Sequence, residues 1–330
     1  GTAGSLPASS RASATTRMMA TTAKTQVMSR SLSQSGAFFD SLTFVLTFGP
    51  HAFADDELLV MAIINRTPDS FYDRGATYAH DAALDRVEQV VAQGAQIVDI
   101  GGVKAGPGQE VDPAEEKRRV VSFVAEVASR HPGLVISVDT WRADVGRAVV
   151  AEGATLLNDA WGGHDQQLAE VAAEFGVGLV CTHAGGLTPR TRPHRVSYPD
   201  VMAAVVEDVV GQAQRAQALG VPPAGILIDP GHDFGKNTRH SLECTRRLPQ
   251  MVATGWPVLV SLSNKDFVGE TLDRPVGERL EGTLGATAIS AWLGARVYRA
   301  HEVRQTFDVL HMVQAISGAR QPAVSRRGLA

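Results

Sequence analysis

The chain has 330 residues, 44% of them hydrophobic and 20% charged, and a net charge of −4 at neutral pH. That length forms one large domain or two small ones with a substantial core, and the charge leaves no basic footprint for nucleic acid or an anionic membrane. The two cysteines, Cys181 and Cys244, are too few for a disulfide framework and lack metal-ligand spacing, so a reducing cytoplasm is the natural compartment.

In chain order, the first stretch of about 35 residues is rich in Ser, Thr and Ala without a hydrophobic period, which predicts disorder. Its opening Gly-Thr-Ala-Gly-Ser resembles a tag remnant. The apolar patch Leu42–Phe48 follows no basic cluster and precedes no small-residue cleavage site, which argues against a signal peptide. It is also too short to span a bilayer. It is expected to be a peripheral segment packed on the domain, which divides the chain into an extension over 1–56, one domain over 57–318 and a tail over 319–330.

From about residue 57 the chain alternates. Short apolar runs stand at Leu58–Ile64, Gln96–Ile100, Leu134–Val138, Ala154–Leu157, Val177–Cys181, Gly225–Ile228, Val258–Leu262 and Arg296–Tyr298. They are mostly Val, Ile and Leu, as strands covered on both faces require. Between them lie stretches of helical period, among them Asp81–Gln93, Pro113–Ser129, Trp141–Ala151 and Tyr198–Leu219. Asp112-Pro113-Ala114-Glu115 supplies an N-cap, a Pro at the first helical position and a Glu at the third. Eight β-then-α units over roughly 260 residues predict a TIM (β/α)8 barrel, an α/β fold. An open doubly wound sheet is the alternative, but the first βα turn lacks GxGxxG.

In such a barrel, function sits at the C-terminal ends of the strands. Those ends carry Asn65, Asp99, Asp139, Asn158-Asp159, His183, Asp229, Ser263-Asn264-Lys265, and Arg299 with His301. A lone Asp after a strand is more often a helix cap, and a lone His is usually just hydrogen-bonded. Capping alone does not put Lys, Arg and His among the acids, so the set predicts a functional rim. Asp139, Asn158, Asp229 and Lys265 combine carboxylate acceptors, one amide and one ammonium, a set suited to a flat heterocycle such as a pterin or guanine. Asn65, Arg299 and His301 are rich in donors and suit phosphate or diphosphate.

The motifs around these residues resemble those of dihydropteroate synthases. NRTPDSFYDRG at 65–75 is similar to the family's NVTPDSFSDGG. VDIGG at 98–102, SVDT at 137–140, LND at 157–159, DPGHDFGK at 229–236, SNKDFVG at 263–269 and RAHEV at 299–303 follow in order. The resemblance implies condensation of 6-hydroxymethyl-7,8-dihydropterin diphosphate with 4-aminobenzoate, releasing diphosphate, on a homodimeric barrel open also to sulfonamide and sulfone analogues. It implies that Asp139, Asn158, Asp229 and Lys265 bind the pterin. Arg299, His301 and Asn65 would hold the diphosphate, with Mg²⁺ near Asn65 and the first loop closing above. Asp139, Lys265, Arg299 and His301 would form the catalytic set, Asp139 stabilising positive charge as the C–O bond breaks.

The departures from the family pattern are clustered. GGESTRPG becomes GGVKAGPG at 101–108, placing Ala105 and Gly106 where Thr and Arg are usual. SRKS becomes SNKD with Asp266, whose carboxylate would meet that of 4-aminobenzoate. The fifth-strand loop reads THAGG, DPGIGFGK becomes DPGHDFGK, and Arg66 replaces Val. Lys104 and Arg66 are the candidate replacements for the missing Arg. The pattern implies a divergent paralogue, like the second dihydropteroate synthase homologue of some actinobacteria, with weak or absent activity. The alternatives are a pterin-binding barrel without chemistry, a transferase with another acceptor, or a metal-dependent hydrolase on Asp99, His183, Asp229 and His301. The last lacks the His-x-His pair expected on the first strand.

Overall fold

The computed structural model describes residues 1, 45–67, 79–106, 108, 110–191 and 197–328. The segment expected to be disordered and the first-loop residues 68–78 lie outside the described residues.

Two short strands, β1 (Leu46–Phe48) and β2 (His51–Phe53), pair as an antiparallel hairpin. Eight parallel strands follow: β3 (Leu59–Asn65), β4 (Ile97–Gly101), β5 (Val135–Asp139), β6 (Leu156–Asp159), β7 (Gly178–Thr182), β8 (Ile226–Asp229), β9 (Leu259–Ser261) and β10 (Val297–Ala300). Their order, β8-β7-β6-β5-β4-β3-β10-β9, closes where Ile228 bridges Val258 and the Ile228 N–H donates to the Pro257 carbonyl at 3.0 Å. The result is a closed (β/α)₈ barrel, as the alternation predicts. The observed strands overlap the apolar runs and reach one or two residues further, except β9, which stops one residue short at Ser261.

The helices are α1 (His80–Ala92), α2 (Pro113–Arg130), α3 (Ala143–Ala151), α4 (Gln167–Phe175), α5 (Val201–Leu219), α6 (Thr238–Arg246), α7 (Pro249–Val252), α8 (Asp266–Leu272), α9 (Leu280–Trp292) and α10 (Val303–Ser317). The expected cap of α2 is present: Asp112 accepts the Glu115 N–H at 2.8 Å, with Pro113 in the first turn.

Side chains alternate along each strand with period two. Val60, Ala62, Ile64, Val98, Ile100, Ile136, Val138, Leu157 and Ile228 face the helices in the larger core. The intervening Leu59, Met61, Ile97, Val135, Leu156, Val180, Leu227, Leu259 and Val297 fill the barrel interior. Leu46 and Phe48 join this inner layer with no exposed surface. The apolar patch therefore is not peripheral where it is described, since Leu46 and Phe48 are part of the core. Burying two such side chains contributes about 1.5–3 kcal/mol each.

The same alternation decides what the upper barrel holds. Two residues beyond Ile97, Val135, Leu156, Leu227 and Val297 stand Asp99, Ser137, Asn158, Asp229 and Arg299, so the inner face turns polar at its C-terminal end.

Candidate active site

Asp99 on β4 is the hub of this polar layer. It is fully buried and accepts the Ser137 hydroxyl at 2.6 Å, the Asn158 amide at 3.1 Å and Arg299 Nε at 2.6 Å. Because a carboxylate only accepts, it turns the Asn158 nitrogen toward itself and leaves Oδ1 as that side chain's remaining acceptor. Arg299 also donates through a terminal guanidinium nitrogen to Asp139 Oδ2 at 3.1 Å, bridging β4 and β5 from β10. Sequence reasoning placed Asp99 on the rim and gave it a role only in the metal-dependent hydrolase alternative. Strand register assembles the hub, since Asp99 pairs with Ser137, and Asp139 with Asn158.

Charge and burial compete here. Burial pushes the Asp139 carboxyl up to about 7, with Arg299 pulling the other way. Burial also raises Asp229, against the Gly231 N–H it accepts at 2.7 Å and the charges of Lys265, Lys236 and Arg299. The Gly231 turn has φ 62°, and a Cβ there would stand 2.2 Å from the His183 carbonyl, so glycine is required. Lys265 is lowered by burial, while Asp233 and Asp229 act to keep it charged. Its ammonium lies 4.6 Å from the centre of the Phe234 ring. Phe234 meets Trp161 edge-on at 5.1 Å, and Trp161 meets Trp141 at 6.4 Å. This aromatic wall was not foreseen; only its position after the strand ends could have signalled it.

The expected phosphate ligands divide. Arg299 is committed to Asp99 and to Asp139, of which Asp139 belongs to the set read as pterin-binding. His301 Nδ1 lies 2.9 Å from Ser263 Oγ, and its carbonyl accepts from Arg86 at 2.5 Å. Asn65 ends β3 beside Gly101.

The altered loops resolve differently from expectation. Arg66 is buried, its guanidinium 4.8 Å from the centre of the Phe123 ring and its Nε 3.4 Å from the Arg119 carbonyl, so it is packed on α2. Arg119 and Arg190 both reach the second loop, Arg119 donating to the Gly102 carbonyl at 2.9 Å and Arg190 Nε to the Gly106 carbonyl at 3.4 Å. Asp266, 71% exposed, pairs with Arg279 at 2.8 Å instead of standing as an uncompensated charge. Asp159 caps the turn after β6 through the Trp161 and Gly163 N–H groups, and burial pushes it up to about 6.

His183 is held by Lys236, whose Nζ lies 2.6 Å from Nδ1 and also reaches the carbonyls of His183, Gly231 and Phe234. Among the described residues no group of three or more His, Cys, Asp or Glu is arranged to hold a metal. Nor is any described helix long and apolar enough to cross a membrane. Cys181 and Cys244 are buried and form no disulfide, and burial raises both thiols.

The inner mouth of this closed parallel barrel thus presents carboxylate acceptors, an oriented amide and a lysine beside an aromatic wall. The pterin binding enzyme profile matches residues 61–301, and the chain belongs to that family. It is 56% identical over 281 residues to inactive dihydropteroate synthase 2 of Mycobacterium leprae, covering 84% of this chain and 97% of that protein. It is 36% identical over 263 residues to dihydropteroate synthase of Bacillus subtilis, covering 79% and 89%. The crystal structure of Yersinia pestis dihydropteroate synthase in a sulfonamide drug complex superposes with a TM-score of 0.79 at 32% identity, covering 84% of this chain and all of that one.

Proposed function

We propose that this barrel binds a pterin, or its diphosphate, at the C-terminal mouth, and is a divergent dihydropteroate synthase homologue with weak or no synthase activity. The observation that carries the pterin reading is the inner layer Asp99–Asn158–Arg299–Asp139 together with Asp229 and Lys265. Asp229 and Asp139 supply acceptors for the amino edge of the ring, Asn158 Oδ1 a further acceptor, and Lys265 a donor to ring acceptors. The position of Lys265 over Phe234 keeps the ammonium at the mouth, where a planar ring can meet it.

The reading of weak activity rests on the rebuilt loops, Ala105-Gly106 and Asp266, and on the likeness to a relative named inactive. A transferase with a different acceptor is the alternative, because the pterin groups remain intact. Arg299 and His301 would engage the diphosphate, with Arg299 exchanging carboxylate contacts for phosphate oxygens. Mg²⁺ fits this mouth only as a companion of the diphosphate. Asn65 offers one amide oxygen, and Mg²⁺ is commonly held by one or two protein oxygens plus substrate phosphates and waters. When bound, the ion would neutralise charge on the departing diphosphate.

A cytoplasmic homodimer is part of this reading. Ile289 and Trp292 on α9, and Met312 and Ile316 on α10, are each more than half exposed on helices that pack side by side. A second copy would cover that apolar face.

Calorimetric titration with the pterin diphosphate, with and without Mg²⁺, followed by a turnover assay with 4-aminobenzoate, tests the proposal. Binding without ordinary turnover is the expected result. No pterin binding under either condition refutes it.

A further inference from the structure

Asn158 and Asp159 end β6 side by side but face different spaces. Asn158 joins the inner layer, whereas Asp159 lines a cleft of about 380 Å³ on the outside of the barrel, between α4 and α5 and over β7. That volume is in the range of small-molecule sites. None of the polar residues of the inner layer lines it. Its floor is apolar, formed by Leu179 and Cys181 of β7 and Ala216 of α5.

The two walls carry opposite charges. Glu170 on α4 and Arg215 on α5 both line the cleft, and among the described residues neither makes a hydrogen bond or an ion pair. A Cβ on Gly211 would stand 3.3 Å from Arg215 Nη1, so the guanidinium lies back over the preceding turn of α5. Between the walls stands Gln212, 6% exposed. Its Nε2 donates to the Thr182 carbonyl at 3.3 Å and to Asp208 at 3.1 Å. Both partners are acceptors, which leaves Oε1 as an acceptor for a donor in the cleft. The Cys181 thiol, raised by burial, also feels Asp159, Arg215 and Asp208, so these groups converge on one place. Exposed charges alone are ordinary helix surface; the buried amide oxygen between them is what marks a site.

An occupant must answer a cation on one wall, an anion on the other, an acceptor between them and an apolar floor. A guanidinium grips a carboxylate through paired N–H donors. An ammonium has three donors and no acceptor, which suits Glu170 together with Gln212 Oε1. We propose that this cleft is a second binding site, for an α-amino acid with an apolar side chain, and that its occupancy is felt at the mouth through Asp159. The link is short. Asp159 accepts the Trp161 N–H at 2.9 Å and the Gly163 N–H at 2.8 Å, and Trp161 stands in the aromatic wall of the mouth. An ammonium in the cleft competes for the carboxylate that holds this turn. The site itself is independent of the pterin reading, and only the coupling rests on it.

Calorimetric titration of the full chain with L-phenylalanine, phenethylamine and 3-phenylpropionate tests the site, the last two lacking the carboxylate and the ammonium respectively. Phenylalanine is expected to bind at least about tenfold more tightly than either. Arg215→Gln is expected to weaken phenylalanine about tenfold and leave phenethylamine unchanged, and Glu170→Gln to weaken phenylalanine and leave 3-phenylpropionate unchanged. Both side chains are exposed, so neither change threatens the fold. No saturable binding of phenylalanine, equal affinities for the three compounds, or a preference unchanged in both variants would overturn the site. Saturating phenylalanine is then expected to shift the affinity for the pterin diphosphate by at least about fivefold, and a chain that binds the two ligands independently would overturn the coupling. A chain that binds phenylalanine but no pterin diphosphate refutes the pterin reading and the coupling with it, while the affinity ratios still decide the site.

Discussion

Replacing Asp99 by Asn tests whether the inner layer is a single unit. The side chain has no exposed surface, while Arg299 is 17% exposed. Asn at this position keeps one acceptor and adds a donor, so it cannot serve Ser137, Asn158 and Arg299 together. Breaking a buried ion pair by removing one partner costs about 3–5 kcal/mol. Here Asp139 still holds Arg299 at 3.1 Å, which lowers that figure. A stranded buried donor adds about 1–3 kcal/mol. The sum is a loss of about 3–5 kcal/mol. For a domain of this size that lowers Tm by roughly 6–20 °C, at about 2–4 °C per kcal/mol. Urea unfolding followed by circular dichroism reads the loss as a lower midpoint at unchanged slope. The double replacement Asp99→Leu with Arg299→Met should recover part of the loss, since two apolar groups leave no buried charge unpaired. A loss below about 1 kcal/mol in Asp99→Asn would refute the hub.

Asp229→Asn should weaken pterin binding by about 2–4 kcal/mol in calorimetry, because it sets a donor against a donor edge; unchanged affinity would remove Asp229 from the site. Restoring Ala105→Thr, Gly106→Arg and Asp266→Ser together should raise dihydropteroate formation well above the parent, with single changes doing less, since such groups act non-additively. The Asp266 change also removes the carboxylate partner of Arg279, which is 10% exposed and keeps only the Asn264 and Arg274 carbonyls, so a cost in stability should accompany any gain. A triple variant that binds both substrates but stays inert would move the defect elsewhere, to Arg66 or to His232-Asp233. His232→Ile addresses pH. Burial lowers His232 to about 3, so the folded state binds fewer protons than the unfolded one between about pH 3 and 6.5, and its stability falls as pH falls through that window. At pH 5 this costs about 2 kcal/mol relative to pH 8, and the Ile variant should lose less stability over the same interval. Parallel pH profiles for parent and variant would contradict the assignment.

What the sequence by itself determined was local. Strand period and helix caps depend on near neighbours, so the eight apolar runs and the Asp112 cap were legible. The identity of the polar residue ending each strand was legible too, because a parallel barrel sends all those ends to one face. Partner choice was not. Arg299 meets Asp99 and Asp139 across 200 and 160 residues of chain, a pairing set by closure of β10 against β3 and by the register of β3, β4 and β5. The same closure decided that Arg190 reaches the second loop and that Asp266 turns to Arg279. It also drew Leu46 and Phe48 into the barrel floor, where a short apolar run with no period gave no hint of its depth. Hydrogen-bond partners and burial are properties of distances between remote segments, and only tertiary packing sets those distances.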